Sequence, residues 1–267
     1  MRNIKEFFYA SGIIPVIKID AAEKADALAV ALKAGGLQIA EITFRTQAAA
    51  KSIEHFAKHH PDIVVGAGTV TTKAEVDIAI NAGAQFIVSP GFNPDICAYC
   101  LQKDIPVFPG VNNPSLIEQA ISLGLTELKF FPAEVSGGTK ALKAFETVYP
   151  AVSFIPTGGI QENNLNDYLV LKNVLACGGS WIVPTELIQA GKFDMITALI
   201  TSSRRAMMGF LPHVPASEAH NDQEAVLEVK TPSLKRTLAM LNLTSIYNSK
   251  EKNKNIALCD TIIRIIE

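Results

Sequence analysis

The stretch IIPVIKIDAAEKADALAVALKAGGLQIAEITF, residues 13–44, decides the fold. IIPVIK (13–18) is a short apolar run of strand length, and LQIAEITF (37–44) is another. Between them AEKADALAVALKAGG (22–36) spaces its apolar residues three and four apart and ends in a glycine pair. That pattern predicts an amphipathic helix with a glycine stop. Strand, helix and strand in so short a span make a βα unit feeding a parallel neighbour.

The same rhythm continues along the chain. DIVVGAG (62–68), AQFIVSP (84–90), IPVFPG (105–110), TELKFFP (126–132), VSFIPTG (152–158) and NVLACGG (173–179) complete a set of eight candidate strands. Helical patterns follow them. Eight βα units at spacings of about 20 residues fit an α/β fold closed as a (β/α)8 TIM barrel better than an open sheet. In such a barrel the chemistry gathers where the strands end and the βα loops begin.

Composition narrows the partners. The 267 residues are 48% hydrophobic, ample for a sizeable core, and the formal net charge is −2 with no long basic run. Nothing calls for nucleic acid or an anionic membrane, so a small molecule is the expected partner. The N-terminus MRNIKEFFYASGIIPVIKID lacks the apolar h-region of a signal peptide, and no run approaches the length of a membrane span. A cytoplasmic location is expected. Four cysteines, Cys97, Cys100, Cys177 and Cys259, are too scattered for a disulfide framework. Cys97 and Cys100 form a lone CxxC with no second pair, inside a helical pattern. His55, His59, His60, His213 and His220 form no HExxH or comparable spacing, so neither metal nor cofactor is expected.

The strand ends carry the functional candidates. Lys129 sits in an otherwise apolar run, where burial would favour the neutral amine that attacks a carbonyl; the alternative is a lysine whose ammonium reaches water along its stem. The first strand ends in Lys18, and EITFR places Glu41, Thr43 and Arg45 on one face of the second, either at the mouth or as an inward ion pair. GAGTV brings Gly66, Gly68 and the hydroxyl of Thr69 to the third strand end, and Ser89-Pro90-Gly91 makes a tight exit from the fourth. Asn113 or Asn112 is placed to cap a helix before Pro114. Finally PTGG (156–159) and CGGS (177–180) bring two glycine pairs and Ser180 to the ends of strands seven and eight, where phosphate-binding barrels hold a phosphoryl group.

With EITFRT, VGAGTV, FIVSPG, ELKFFPAE, IPTGGI and GGSWIVP in that order, residues 5–207 resemble the bacterial aldolases of 2-keto-3-deoxy-6-phosphogluconate and 4-hydroxy-2-oxoglutarate. The resemblance implies a class I, Schiff-base lyase on a (β/α)8 barrel, commonly a homotrimer, acting on a keto-acid sugar phosphate without metal. Carried over by motif, Lys129 is the Schiff-base lysine and Glu41 the acid/base. Arg45 and Thr69 bind the substrate carboxylate. Pro90, Phe131 and Thr157 line the pocket, and Gly158, Gly159, Gly179 and Ser180 bind phosphate. Products would be pyruvate and glyceraldehyde 3-phosphate, or pyruvate and glyoxylate. Competing readings are an aldolase for 2-keto-3-deoxy-6-phosphogalactonate, a phosphosugar isomerase or synthase lacking the imine, and a non-catalytic sugar-phosphate-binding barrel.

Beyond this core, GFLPHVPASEAHNDQ (209–223) has no periodicity and reads as a linker after a barrel spanning 1–208. Residues 224–267 then suggest a small βαββ unit: EAVLEVK as strand, TPSLKRTLAMLNL as helix capped by Thr231, and strands TSIY and CDTIIRIIE flanking a polar turn NSKEKNKN. This unit resembles half of a glyoxalase-type module without its ligand set. Such a small unit leaves a face uncovered, which suits an oligomer contact or a regulatory accessory.

Overall fold

The computed structural model describes residues 4–208, 225–230, 236, 253–258 and 261–266. Helix α1 (Ile4–Ser11) precedes β1 (Ile13–Ile17). Then α2 (Ala25–Ala34), β2 (Ile39–Thr43), α3 (Ala49–His59), β3 (Val64–Gly68), α4 (Lys73–Asn81) and β4 (Ile87–Val88) follow. The chain continues through α5 (Pro94–Gln102), β5 (Val107–Phe108), β6 (Gly110–Val111), α6 (Pro114–Ser122), β7 (Glu127–Phe130), α7 (Gly138–Val148) and β8 (Ser153–Pro156). After α8 (Leu165–Leu169) come β9 (Cys177–Gly179), α9 (Thr185–Gln189) and α10 (Phe193–Met208). All eight expected strands are present, each shorter than its apolar run.

The sheet is parallel and curled. One part runs β5-β4-β3-β2-β1-β9 and the other β6-β7-β8. The run expected as a single fifth strand is thus split at Pro109, which has no N–H to donate to a ladder. Its carbonyl still accepts from Lys129 N–H at 3.0 Å, so β7 stays beside this segment. Between β8 and β9, Phe154 bridges Val174 and Thr157 bridges Gly178, both parallel.

Alternation sorts the side chains into two layers. Ile13, Ile17, Ala40, Ile42 and Val65 face outward into the large core shared with the helices. Ile14, Ile39, Val64, Val88, Phe108 and Ile155 form a second, smaller core inside the curve. Helix α1 lies across the N-terminal ends of the strands. Its Phe8, fully buried, packs edge-on against Phe86 with centroids 5.2 Å apart and tilted against Phe108 at 4.9 Å. The inner layer at that end is filled by apolar side chains.

Helix boundaries follow local chemistry. Thr72 and Glu75 form a reciprocal capping box on α4, while Asn93 caps α5 ahead of Pro94. Of the two candidates for α6, Asn113 is the cap, its Oδ1 accepting from Leu116 N–H at 3.1 Å. Cys97 and Cys100 are buried on α5, and desolvation pushes their thiols up to about 11 and about 12. Raised in this way, both thiols are weakly nucleophilic at neutral pH.

The C-terminal residues contribute a three-stranded sheet, β10 (Ala225–Lys230), β11 (Asn253–Leu258) and β12 (Thr261–Ile266), ordered β10-β12-β11. The polar turn expected over 248–255 is overrun by β11. As an edge strand in antiparallel register with β12, β11 can carry Asn253, Lys254 and Asn255. The expected TSIY strand, and the expected helix apart from Arg236, lie outside the described residues.

Arg236 is buried, with 3% of its surface exposed, and donates to the carbonyls of Val174 (2.8 Å), Leu175 (2.6 Å) and Tyr9 (3.0 Å). Its guanidinium also lies 4.3 Å from the Tyr9 ring centroid. Arg236→Met keeps the stem and deletes these bonds, leaving buried carbonyls without their donor. A loss of about 2–4 kcal/mol is expected in urea unfolding followed by circular dichroism. An unchanged midpoint would show that the arginine contributes nothing.

Candidate active site

At the C-terminal end of the strands lies a cavity of about 290 Å³. All eleven residues to which the resemblance gives a role line it: Glu41, Arg45, Thr69, Pro90, Lys129, Phe131, Thr157, Gly158, Gly159, Gly179 and Ser180. Val16, Ile160 and Gly178 complete the wall. Strand alternation would have found Val16, since it shares its face with Ile14. Gly178 belongs to the glycine pair already marked, and Ile160 merely follows PTGG.

Lys129 and Glu41 form the floor. The Nζ of Lys129 lies 3.3 Å from Oε1 of Glu41, with the residues 6% and 3% exposed. Their strands explain the meeting. Ile39, Glu41 and Thr43 share one face of β2, and Ile39 belongs to the inner core, so Glu41 also points inward. Lys129 on β7 faces it from across the curve, 88 residues away in sequence. Its ammonium also lies 5.3 Å from the ring centroid of Phe131, two residues on and on the same face. A lysine held this way cannot extend into bulk water.

The inward ion pair considered between Glu41 and Arg45 does not form; Glu41 takes Lys129 instead. Arg45 is braced separately, its Nε donating to Thr43 Oγ1 at 3.1 Å, while that hydroxyl donates to the Ile17 carbonyl at 2.8 Å. The guanidinium keeps further donors for a ligand. Thr69 stands beside it with φ of 58°, a left-handed conformation unusual for a β-branched residue and costing about 1–3 kcal/mol. Strain of that size at a pocket wall fits a side chain placed for contact rather than comfort. Lys18, by contrast, lies outside the cavity, half-exposed and 3.8 Å from Asp20.

The rim is built from bare backbone. Gly158 and Gly159 have φ of 98° and 81°, values that glycine adopts without penalty, and their loop turns back over β8. Behind them the Gly158 carbonyl accepts from Glu134 N–H at 3.1 Å, and the Glu134 carboxylate is itself bonded by the Tyr168 hydroxyl. Glu134 therefore braces the loop from outside the cavity. Gly68 and Gly178 create room instead: a Cβ on Gly68 would collide with the Glu41 carboxylate, and one on Gly178 with the Thr157 hydroxyl. Ser180, exposed at the end of β9, completes the rim; α9 begins only at Thr185. An amine and a carboxylate in a dry floor, a guanidinium at the side and an N–H-rich rim suit an oxo acid with a distal anionic group.

Comparison with known proteins agrees with this geometry. The family model "KDPG and KHG aldolase" matches residues 4–199. The 2-dehydro-3-deoxy-phosphogluconate aldolase of Treponema pallidum is 48% identical over 187 residues, covering 70% of this chain and 89% of that enzyme. The KHG/KDPG aldolase of Escherichia coli K12 is 43% identical over 197 residues, covering 74% and 91% respectively. Among solved structures, the KDPG aldolase of Legionella pneumophila, with pyruvate captured as a covalent carbinolamine, superposes with a TM-score of 0.73 at 42% identity. That match covers 74% of this chain and 97% of the other. The chain belongs to the KDPG and KHG aldolase family.

Proposed function

We propose that the chain is a class I aldolase that cleaves 2-dehydro-3-deoxy-6-phosphogluconate to pyruvate and glyceraldehyde 3-phosphate, and 4-hydroxy-2-oxoglutarate to pyruvate and glyoxylate. The observation that carries this reading is the buried Lys129–Glu41 pair, 3.3 Å apart, beneath a glycine rim. Lys129 gives its proton to solvent and its neutral amine adds to the C2 ketone; the carbinolamine hydroxyl takes a proton back and leaves as water, giving an iminium, a better electron sink than the ketone. Glu41 takes the proton of the C4 hydroxyl, the C3–C4 bond breaks, and its electron pair moves into the iminium to give an enamine. The aldehyde leaves. Glu41 returns its proton to C3 of the enamine, and hydrolysis of the resulting iminium restores the lysine and releases pyruvate.

The remaining residues divide by substrate end. Arg45 holds the carboxylate with a forked geometry that a lysine cannot copy, with Thr69 alongside. Gly158, Gly159, Gly179 and Ser180 receive the phosphate, while Pro90, Phe131 and Thr157 keep the centre dry. The strand order β5-β4-β3-β2-β1-β9, the β6-β7-β8 ladder and the two bridges that follow support closure of these strands as a (β/α)8 barrel within residues 1–208, and the β10-β12-β11 sheet supports an accessory unit within 224–267; the linker expected over 209–223 lies outside the described residues.

A pyruvate-coupled retro-aldol assay with both substrates tests this reading. Turnover of neither would overturn it. In the same assay Ser180→Asp is expected to lower kcat/KM for the phosphorylated substrate by about 10²-fold through like-charge repulsion, sparing 4-hydroxy-2-oxoglutarate. Equal losses would remove the phosphate site from the rim.

A further inference from the structure

Away from the cavity, three side chains meet where α2 packs beside α3. Asp26 lies in the first turn of α2, His55 on α3, and His60 at the residue that ends α3. Oδ1 of Asp26 is 2.9 Å from Nε2 of His60 and 3.4 Å from Nε2 of His55, and one ligand atom from each residue lies within 4.8 Å of the others. These distances come from residues 29 and 34 positions away from Asp26, so local ligand spacing in the sequence could not show them.

We propose that Asp26, His55 and His60 form a binding site for a borderline divalent transition metal, zinc being the reference ion, which ties α2 to α3. Two imidazoles and one carboxylate are the donor set that such ions take, whereas magnesium and calcium prefer all-oxygen sites. The spacing fits as well. Tetrahedral zinc with bonds of about 2.0–2.1 Å separates its ligand atoms by about 3.3 Å. The Asp26–His55 distance already matches, and the Asp26–His60 distance needs a few tenths of an ångström of opening. Asp26 can supply that movement, because its side chain is 62% exposed while the His60 ring is held at 8%.

The rest of the surroundings suit a cation. The Asp26 side chain is 62% exposed, so its carboxylate is open to an ion arriving from solvent. The His59 ring packs on His55 with centroids 4.5 Å apart, fixing the orientation of a partly exposed ligand. The exposed carboxylate leaves the fourth position to water. None of these residues lines the catalytic cavity, so the site belongs to the outer helical layer and not to the carbon–carbon bond chemistry.

Zinc added to the metal-stripped full-length protein tests this directly. One ion per chain is expected by competition with a chromophoric chelator, and Tm is expected to rise by about 5 °C or more at a hundredfold excess over Kd. His55→Ala and Asp26→Asn, both at accessible positions, should each weaken zinc binding by about tenfold or more, since even loss of an outer-shell partner costs that much. Retro-aldol turnover should be the same with and without zinc. No binding, binding undiminished in His55→Ala, or an equal response to magnesium would overturn the proposal.

Discussion

Replacing Lys129 by methionine is expected to lower retro-aldol turnover by about 10⁴-fold or more, the scale at which loss of a covalent nucleophile is felt. Methionine retains most of the stem, so the inner layer stays filled and the contact with Phe131 remains apolar. The fold should therefore survive, although at some cost in stability, because the Glu41 carboxylate is left buried without its partner. Two measurements separate chemistry from structure. Borohydride reduction in the presence of pyruvate should add a stable mass at Lys129 in the parent and none in the variant, while circular dichroism stays unchanged. Label at another lysine, or turnover retained by the variant, would refute the assigned nucleophile.

Glu41→Gln carries the second large effect, an expected loss of about 10²–10⁴-fold in kcat with little change in KM. Glutamine occupies the same space against Gly68 and keeps an oxygen facing Lys129, but cannot take the C4 hydroxyl proton. Borohydride trapping should persist in this variant. Imine formation needs only the amine and the ketone, so it does not depend on Glu41 in the way that bond cleavage does. A variant that cleaves at the parental rate would remove Glu41 from proton transfer. One that neither traps nor cleaves would reassign it to holding the lysine.

Much of this site was legible because parallel α/β folds write their chemistry at the carboxyl ends of their strands. Lys129, Glu41 and Arg45 stand out as charges in apolar runs, and PTGG and CGGS as glycine pairs at the last two strands. Their convergence in one cavity follows once eight strands are counted. Which charge pairs with which was not legible. Glu41 and Arg45 are close in sequence, yet the partner of Glu41 comes from β7, because facing across the curve depends on register and not on sequence distance. The division at Pro109 and the closing of the far end by Phe8 likewise depend on neighbours that periodicity does not name. Edge position explains β11, whose polar composition reads as a turn until it has β12 to pair with. Asp26 and His60 meet for the same kind of reason, through the packing of two helices.

The space left by Gly68 and Gly178 bears on how such an enzyme could change. Each occupies the position where a neighbouring strand's working group projects, the Glu41 carboxylate in one case and the Thr157 hydroxyl in the other. Even alanine there would displace a reacting or lining group, so no graded series of substitutions leads through these positions. Arg45, Thr69 and Ser180, reached from loops or strand tips, are under no such restriction. Divergence toward new oxo acids should therefore accumulate in the loops while these two glycines stay fixed, and a library aimed at altered specificity should leave them untouched.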